Sequence, residues 1–389
     1  MFQAIVGQSE DPLTAEAVRE VIGQIRSELT EGMKPQAGIV FCSIDLDHAE
    51  ILSRLHAEYP AMEVIGCTTD GEIASKKGFT DDSLVLMVFV SDTVEIRAGV
   101  GKNAASDGEG AGREAAYVAD SRLQRQSGQE KFAIILTDPF NAGVSAVDKG
   151  IQGVLGEAFP VFGGAAAAHS KQRKTFQFCQ GEIFTDSVAM LLFAGPVAYS
   201  FGIKGGHSPL GAKEPVTQVT DNVLYRIGEQ RAFDYFRRYV GEYDLFMNYC
   251  LAVFPAGDDR YYVRSAPASD PERGSVTLNG KVAEGSMVQI GMADKDTLIE
   301  SCQTSLRRAQ DSFAGKNVAA ALLFSCAGRK MSMGVQIAKE AQEVQAHLPN
   351  TPFAGFYCYG EFGPLQHGGP YLFHGTTFVT VLIGESEEA

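Results

Sequence analysis

Basic residues are scarce in this 389-residue chain: 33 Lys and Arg stand against 48 Asp and Glu, a formal net charge of −15. Phosphate backbones are gripped by clustered cations, so this balance argues against nucleic-acid binding and against docking on anionic lipid. No apolar run is long enough to span a bilayer. The opening residues MFQAIVGQSEDP lack the basic head and long apolar segment of a secretory signal. The expectation is a cytoplasmic protein with no membrane partner. The seven cysteines include no Cys-x-x-Cys pair, which argues against structural zinc. Cys42, Cys67, Cys326 and Cys358 sit in or beside apolar runs, as reduced, buried thiols do. Familiar catalytic signatures are absent too: no G-x-S-x-G elbow, H-E-x-x-H pair or GK[ST] phosphate loop occurs. Gly108, Gly110 and Gly112 lack dinucleotide spacing and are expected to lead into a helix over Arg113 to Asp120.

What is present describes a globular protein, with 45% hydrophobic and 21% charged residues. Its length suits two domains or one large duplicated unit. One stretch stands out: GCTTDGEI, Gly66 to Ile73, with a relative far along the chain in GFYCYGEFGP, Gly355 to Pro364. Both place a glycine, then small or aromatic polar residues, then Gly-Glu and an apolar residue.

These loops belong to a repeat. Ala37 to Cys42 is a strand; Ile51, Leu52 and Leu55 form a helix stripe that stops at Pro60; Met62 to Ile65 delivers the Gly66 loop; Ser83 to Val90 closes, apolar enough to be covered on both faces. Phe132 to Leu136, the stripe Val144, Val147, Ile151 and Val154, Pro160, Gly163-Gly164 and Val188 to Phe193 repeat that order. So do Val318 to Phe324, Ile337, Ala341, Val344 and Leu348, Pro349, Gly355 and Phe378 to Ile383. An opening strand (Phe2 to Val6) and an amphipathic helix capped by Thr14 precede the first copy. Between the second and third, Tyr199 to Pro215 is expected to be a Gly-rich loop and Val223 to Tyr239 a helix. Asn279-Gly280 is expected to turn a hairpin between Val276–Leu278 and Met287–Gly291. The fold class is α/β: repeated strand-helix-strand units in largely parallel or mixed sheets covered by helices, in two similar halves.

Ligands collect outside the carboxyl ends of strands in such sheets. Glycine permits close backbone approach, so Gly163 and Gly164 join the two Gly-Glu loops as ligand-binding candidates. From those loops come Cys67, Thr68, Thr69 and Glu72, and Tyr357, Tyr359 and Glu361. The carboxylates suit an ammonium or a polar ligand, and the tyrosines offer a ring face and a hydroxyl. Cys67 is the one nucleophile a thiol enzyme would use. His169, His207 and His374 lie where they could share a pocket, and a neutral imidazole there could ligate haem iron.

With these residues in hand, the chain resembles the FIST family of signal-transduction proteins, with paired FIST N and FIST C domains. The likeness is carried by AGIVFCS…VIGCTTDGEIASKKGFTDDSLVLMVF, FPVFGGAAAAHS…TDSVAMLLF and GFYCYGEFGPL…FHGTTFVTVLI. The resemblance implies a FIST N-like domain over 1–215 and a FIST C-like domain over 216–389. It implies a non-enzymatic sensor of a small ligand, such as an amino acid, that acts on a separate signalling partner. One branch of the family binds haem b, senses nitric oxide and controls a histidine kinase or a cyclic-di-GMP cyclase or phosphodiesterase. On that branch His374 is the first candidate ligand, followed by His169 and His207.

Overall fold

The computed structural model describes residues 2–386, apart from 31, 125–129, 140–143, 170–173, 242–248, 256 and 258–259. Three units share one element order. The first holds β1 (Phe2–Ser9), α1 (Thr14–Glu28), β2 (Ala37–Cys42), α2 (His48–Glu58), β3 (Glu63–Thr68), the hairpin β4 (Glu72–Ala74) and β5 (Gly78–Thr80), and β6 (Leu84–Ser91). The second holds β7 (Glu95–Lys102), α3 (Gly108–Ser121), β8 (Glu130–Thr137), α4 (Val144–Leu155), β9 (Val161–Ala165), the hairpin β10 (Gln177–Cys179) and β11 (Glu182–Phe184), and β12 (Ser187–Ala194).

The third opens with β13 (Val197–Gly205) and is then interrupted by an insertion. This comprises β14 (Ser208–Thr220), β15 (Val223–Ile227), β16 (Gln230–Arg231), α5 (Ala232–Val240), β17 (Tyr249–Phe254), β18 (Tyr262–Arg264), β19 (Ala268–Asp270), β20 (Ser275–Thr277) and β21 (Met287–Met292). The unit resumes with α6 (Lys295–Asp311), β22 (Gly315–Cys326), α7 (Ala327–Met333), α8 (Ala338–His347), β23 (Phe353–Cys358), the hairpin β24 (Glu361–Pro364) and β25 (Tyr371–His374), and β26 (Thr377–Ser386).

Each unit builds four strands of a mixed six-stranded sheet and gives its hairpin to a neighbour. The orders are β1-β6-β2-β3-β10-β11, β7-β12-β8-β9-β24-β25 and β13-β26-β22-β23-β4-β5. The second unit's hairpin completes the first sheet, the third's completes the second, and the first's completes the third. The exchange closes a ring. Among the described residues, only β2–β3, β8–β9 and β22–β23 are parallel. Each sheet has a single crossover of the strand-helix-strand kind between these strands, and its other pairings are antiparallel.

Alternation along the strands separates two kinds of core. Ile39 and Phe41, Ile134 and Leu136, and Leu322 and Phe324 point into one central cluster fed by all three sheets. There Phe41 stacks on Phe356 at 4.7 Å and Phe132 on Phe193 at 4.5 Å, contacts worth about 0.5–1.5 kcal/mol each beyond area burial. Their neighbours Val40, Ala133 with Ile135, and Ala321 with Leu323 face three outer cores beneath the helices. The closing strand β6 is covered on both faces, as its composition implied.

Several local expectations are corrected. Gly108, Gly110 and Gly112 lie inside α3 rather than before it. A Cβ on Gly112 would sit 2.3 Å from the Val147 carbonyl oxygen, so that glycine lets α3 and α4 pack backbone to backbone. The stretch 199–215 is strand, not loop, because β13 and β14 pair with β26 and β21. Over 223–239 a strand precedes α5, broken at Gly228 with φ +55°. No hairpin forms about Asn279-Gly280: β20 pairs with β15 and β19, and β21 with β14 and β17. Thr14 is the first helical residue rather than the cap, and its hydroxyl accepts the Asp47 N–H at 3.0 Å.

Candidate functional site

The strand ends that carry the candidate residues meet where the three units close on one another. In the first parallel pair Gly66 lies opposite Val40, in the second Gly163 opposite Ile135, in the third Gly355 opposite Leu323. Counting on from these glycines gives equivalent positions. Four residues on, the N–H of each unit donates to a carbonyl two residues on in another. Asp70 donates to Tyr357 at 3.1 Å, Ala167 to Thr68 at 2.8 Å and Tyr359 to Ala165 at 3.1 Å. Three hydrogen bonds thus form a closed cycle at the hub.

Just beyond it sit the two glutamates. Glu72 is fully buried in β4 opposite Phe356; Ser83 donates its N–H at 3.2 Å and its hydroxyl at 2.5 Å to one oxygen, and the Thr69 hydroxyl donates to the other. Glu361 is fully buried opposite Gly164, and receives the Thr377 N–H at 2.9 Å, the Thr377 hydroxyl at 2.6 Å and the Cys358 thiol at 3.3 Å. Burial pushes both carboxyls up to about 7 against the pull of these donors. The third equivalent is Gln177, opposite Cys67, whose side-chain oxygen accepts the Ser187 N–H at 3.3 Å and hydroxyl at 3.1 Å. Sequence reasoning missed it. The signal was an acid or amide before an apolar residue, with a hydroxyl residue at the head of the closing strand.

The other loop candidates are equally enclosed. Cys67 belongs to the central core, and burial holds its thiol well above the ordinary range, in the unreactive protonated form. Thr68 accepts the Phe176 N–H at 3.1 Å. Gly163 and Gly164 are buried in β9; a Cβ on Gly163 would meet the Ile135 carbonyl at 1.9 Å, and one on Gly164 would meet Cys358 and Phe356 at 3.0 Å. The Tyr357 hydroxyl donates to Glu340 at 2.8 Å, and that of Tyr359 donates to the Ala168 carbonyl.

Outside the hub the units share a polar rim. Lys330 of α7 donates to the Asp70 carbonyl at 2.7 Å and to Asp81 at 2.5 Å. His169 bonds Asp82, and its other ring nitrogen lies 3.8 Å from Asp70. Asp45, Asp82 and His169 bring one ligand atom each within 4.8 Å of one another, the spacing of a small cation site, although exposed acids often cluster so without one.

A cleft of about 710 Å³ lies elsewhere, where β13, the end of α6, β18 and the β24–β25 region meet. Phe201, Tyr261 and Tyr262 give it aromatic walls; Lys204, Arg260 and Arg308 give it charge. His374 lines it as well. Its Nε2 lies 2.8 Å from the Gly363 carbonyl, and burial lowers it to about 4, so it is a neutral imidazole donating from Nε2. Its Nδ1 is buried with no hydrogen-bond partner. The insertion is fastened here: buried Arg264 donates to the Phe373 carbonyl at 2.6 Å, and the Tyr261 hydroxyl donates to the His207 carbonyl at 3.0 Å.

The family model for the FIST N domain matches residues 36–230, and that for the FIST C domain matches residues 232–364. The chain belongs to the FIST family. FIST domains are those of signal-transduction sensors, and that coarse assignment holds for this chain. An uncharacterised protein of Mycobacterium bovis is 23% identical, over 98% of this chain and 99% of its own. One from Mycobacterium tuberculosis is 23% identical over 96% and 97%, and one from Methanocaldococcus jannaschii 22% over 73% and 60%. Among solved structures, the cyanuric acid hydrolase of A. caulinodans aligns over the full length of both chains at 10% identity, with a TM-score of 0.41.

In FIST terms the ring of units crosses the domain boundary: Glu72 lies in the FIST N match and Glu361 in the FIST C match. The cleft crosses it too, with Phe201 and Lys204 from the N-terminal match and Arg260, Tyr261 and Arg308 from the C-terminal one. The three histidines proposed as haem ligands are not brought together. His169 is at the rim, and His207 is buried in the link between β13 and β14, lowered to about 3 by burial. Of the three, His374 lines the cleft. No helix among the described residues is long and apolar enough to cross a membrane.

Proposed function

We propose that this FIST protein is a non-enzymatic sensor that takes a small ligand into the cleft between β13 and the inserted sheet. The observation that carries the proposal is the position of the cleft at the root of the insertion. The chain leaves and re-enters the third unit side by side, with Ser208 opposite Met292, just after Gly205-Gly206-His207. A ligand touching β13 on one wall and β18 on the other favours one seating of the insertion, and a bias between two seatings is all that signalling requires. A separate partner, such as a histidine kinase or a cyclic-di-GMP enzyme, would read that surface. The carboxylates of Glu72 and Glu361 have no exposed surface, so the Gly-Glu loops serve in this proposal to lock the ring of units, not to grip the ligand.

The test is a thermal-melting screen of amino acids and haem, since a ligand of the folded state raises Tm by mass action. Leu365 also lines the cleft, and Leu365→Trp, which places an indole at its wall, is expected to abolish any shift. An undiminished shift in that variant removes the ligand from the cleft.

A haem-based nitric oxide sensor is the second reading, favoured by His374 and His367 beside basic and aromatic side chains in one cleft. Ligation by His374 must first free a ring nitrogen from its buried setting, whereas His367 is exposed with its ring 4.5 Å from Phe201. Bound haem would supply iron as the gas-binding centre. Absence of a Soret band after haem addition, or a band unchanged in His374→Ala and His367→Ala, discards this reading.

A further inference from the structure

The cleft's charge is at odds with the chain that builds it. In a protein with 15 more acidic than basic residues, the charged side chains lining this cleft are Lys204, Arg260 and Arg308 against the single carboxylate of Asp311. Lys204 is half-buried on β13. Burial, with the nearby Arg308 charge, pushes its ammonium below the usual lysine range. Lys204 and the solvent-exposed Arg308 carry like charges near each other, and their repulsion is relieved when an anion sits between them. Arg308 uses one Nη to hold the Ile203 carbonyl at 2.9 Å, which fixes its head over the cleft edge while leaving further N–H donors. Aromatic rings line it as well, Phe201, Tyr261 and Tyr262, with the His367 ring packed on Phe201, beside the neutral polar Ser312, Gln366 and Thr377. A volume of about 710 Å³ suits a compact organic molecule rather than an inorganic ion.

We propose that this cleft is a receptor for a small organic anion, with a carboxylate or phosphate head between Lys204 and Arg308 and a planar apolar body against Phe201, Tyr261 and Tyr262. This assignment rests on the cleft being the sensor site and adds the chemical class of its ligand. Guanidinium and ammonium groups bind such heads through charge-assisted hydrogen bonds, and aromatic faces select the body by stacking. A zwitterionic ligand would meet one carboxylate, Asp311, for its ammonium.

The experiment uses the full chain and four probes of similar shape: phenylacetate, phenyl phosphate, the neutral phenylacetamide and the cationic phenethylamine, each titrated by calorimetry. Both anions are expected to bind, the stronger identifying carboxylate or phosphate as the natural head. The amide and the amine are expected to bind at least about tenfold more weakly, the scale of one lost charge-assisted contact. Lys204→Met and Arg308→Met should each weaken the anions about tenfold, Arg308→Lys should restore part of the loss, and Leu365→Trp should abolish binding. If the amide binds as tightly as phenylacetate, and Lys204→Met and Arg308→Met change nothing, the anion assignment is overturned while the cleft stands as a binding site. If binding survives Leu365→Trp, or no probe binds, both fall.

Discussion

Glu72 and Gln177 occupy the same place in two units of the ring: Glu72 lies opposite Phe356 and Gln177 opposite Cys67, each one residue past the glycine of a neighbouring unit's parallel pair. Both hold a hydroxyl residue at the head of their own closing strand, Ser83 and Ser187. An amide therefore does the same bonding without a charge. Burying a carboxylate among neutral donors is costly at neutral pH, and that difference can be measured.

Glu72→Gln and Glu361→Gln are expected to stabilise the protein at pH 8 and to be near neutral at pH 5. Each carboxyl titrates near 7 in the fold and near 4.5 when unfolded. Below about 4.5 both states hold the proton; as pH rises toward 7 the unfolded chain ionises first and stability falls, and above 7 the loss is complete. A shift of this size corresponds to roughly 3 kcal/mol per site as an upper figure. Thermal melts of the variants at both pH values check it; an equal loss at both shows that the carboxylate geometry, not its charge, matters.

Gly355→Ala should cost about 2–3 kcal/mol, because its Cβ would lie 2.1 Å from the Leu323 carbonyl oxygen across the parallel pair. Gly153→Ala, on the exposed face of α4 with nothing within 4 Å, should gain about 0.5–1 kcal/mol. Denaturant melts of the two variants report opposite signs if the glycines are there for these reasons.

Arg329 and Glu340 form an ion pair with no exposed side-chain surface. Ser325 and Tyr357 donate to Glu340 at 3.0 and 2.8 Å, and Arg329 donates to the Leu298 carbonyl at 2.8 Å. Glu340→Gln alone strands a buried guanidinium and should cost about 3–5 kcal/mol. Arg329→Met with Glu340→Gln should recover much of that loss, as a double-mutant cycle on urea unfolding would read.

All seven cysteines are free and buried. Iodoacetamide at pH 8 is expected to leave native protein unmodified and to label every cysteine in urea. Selective alkylation of Cys67 in the native state would revive the thiol enzyme considered from the sequence.

The sequence by itself determined the three strand-helix-strand copies. Their periodicities, the stops at Pro60, Pro160 and Pro349 and the glycines 66, 163 and 355 all report contacts within a single segment or a single parallel pair. It also marked Cys42, Cys67, Cys326 and Cys358 as buried. Tertiary structure alone decided which unit each hairpin joins. A three-residue edge such as Glu72–Ala74 offers the same backbone donors to any neighbour, so nothing local names its partner. For the same reason the sequence could not equate Gln177 with the two glutamates, or bring Lys330 to Asp70 across 260 positions. The cleft was invisible too, because Lys204 and Arg308 lie far apart in the chain. They meet only after the insertion has been looped out and β13 has paired with β26. The Gly-Glu loops were legible as special, while the burial of Glu72 and Glu361 and their bonds to Ser83 and Thr377 appear only in the fold. What made them conspicuous is a requirement for close backbone approach, and here the approaching backbone belongs to the protein itself.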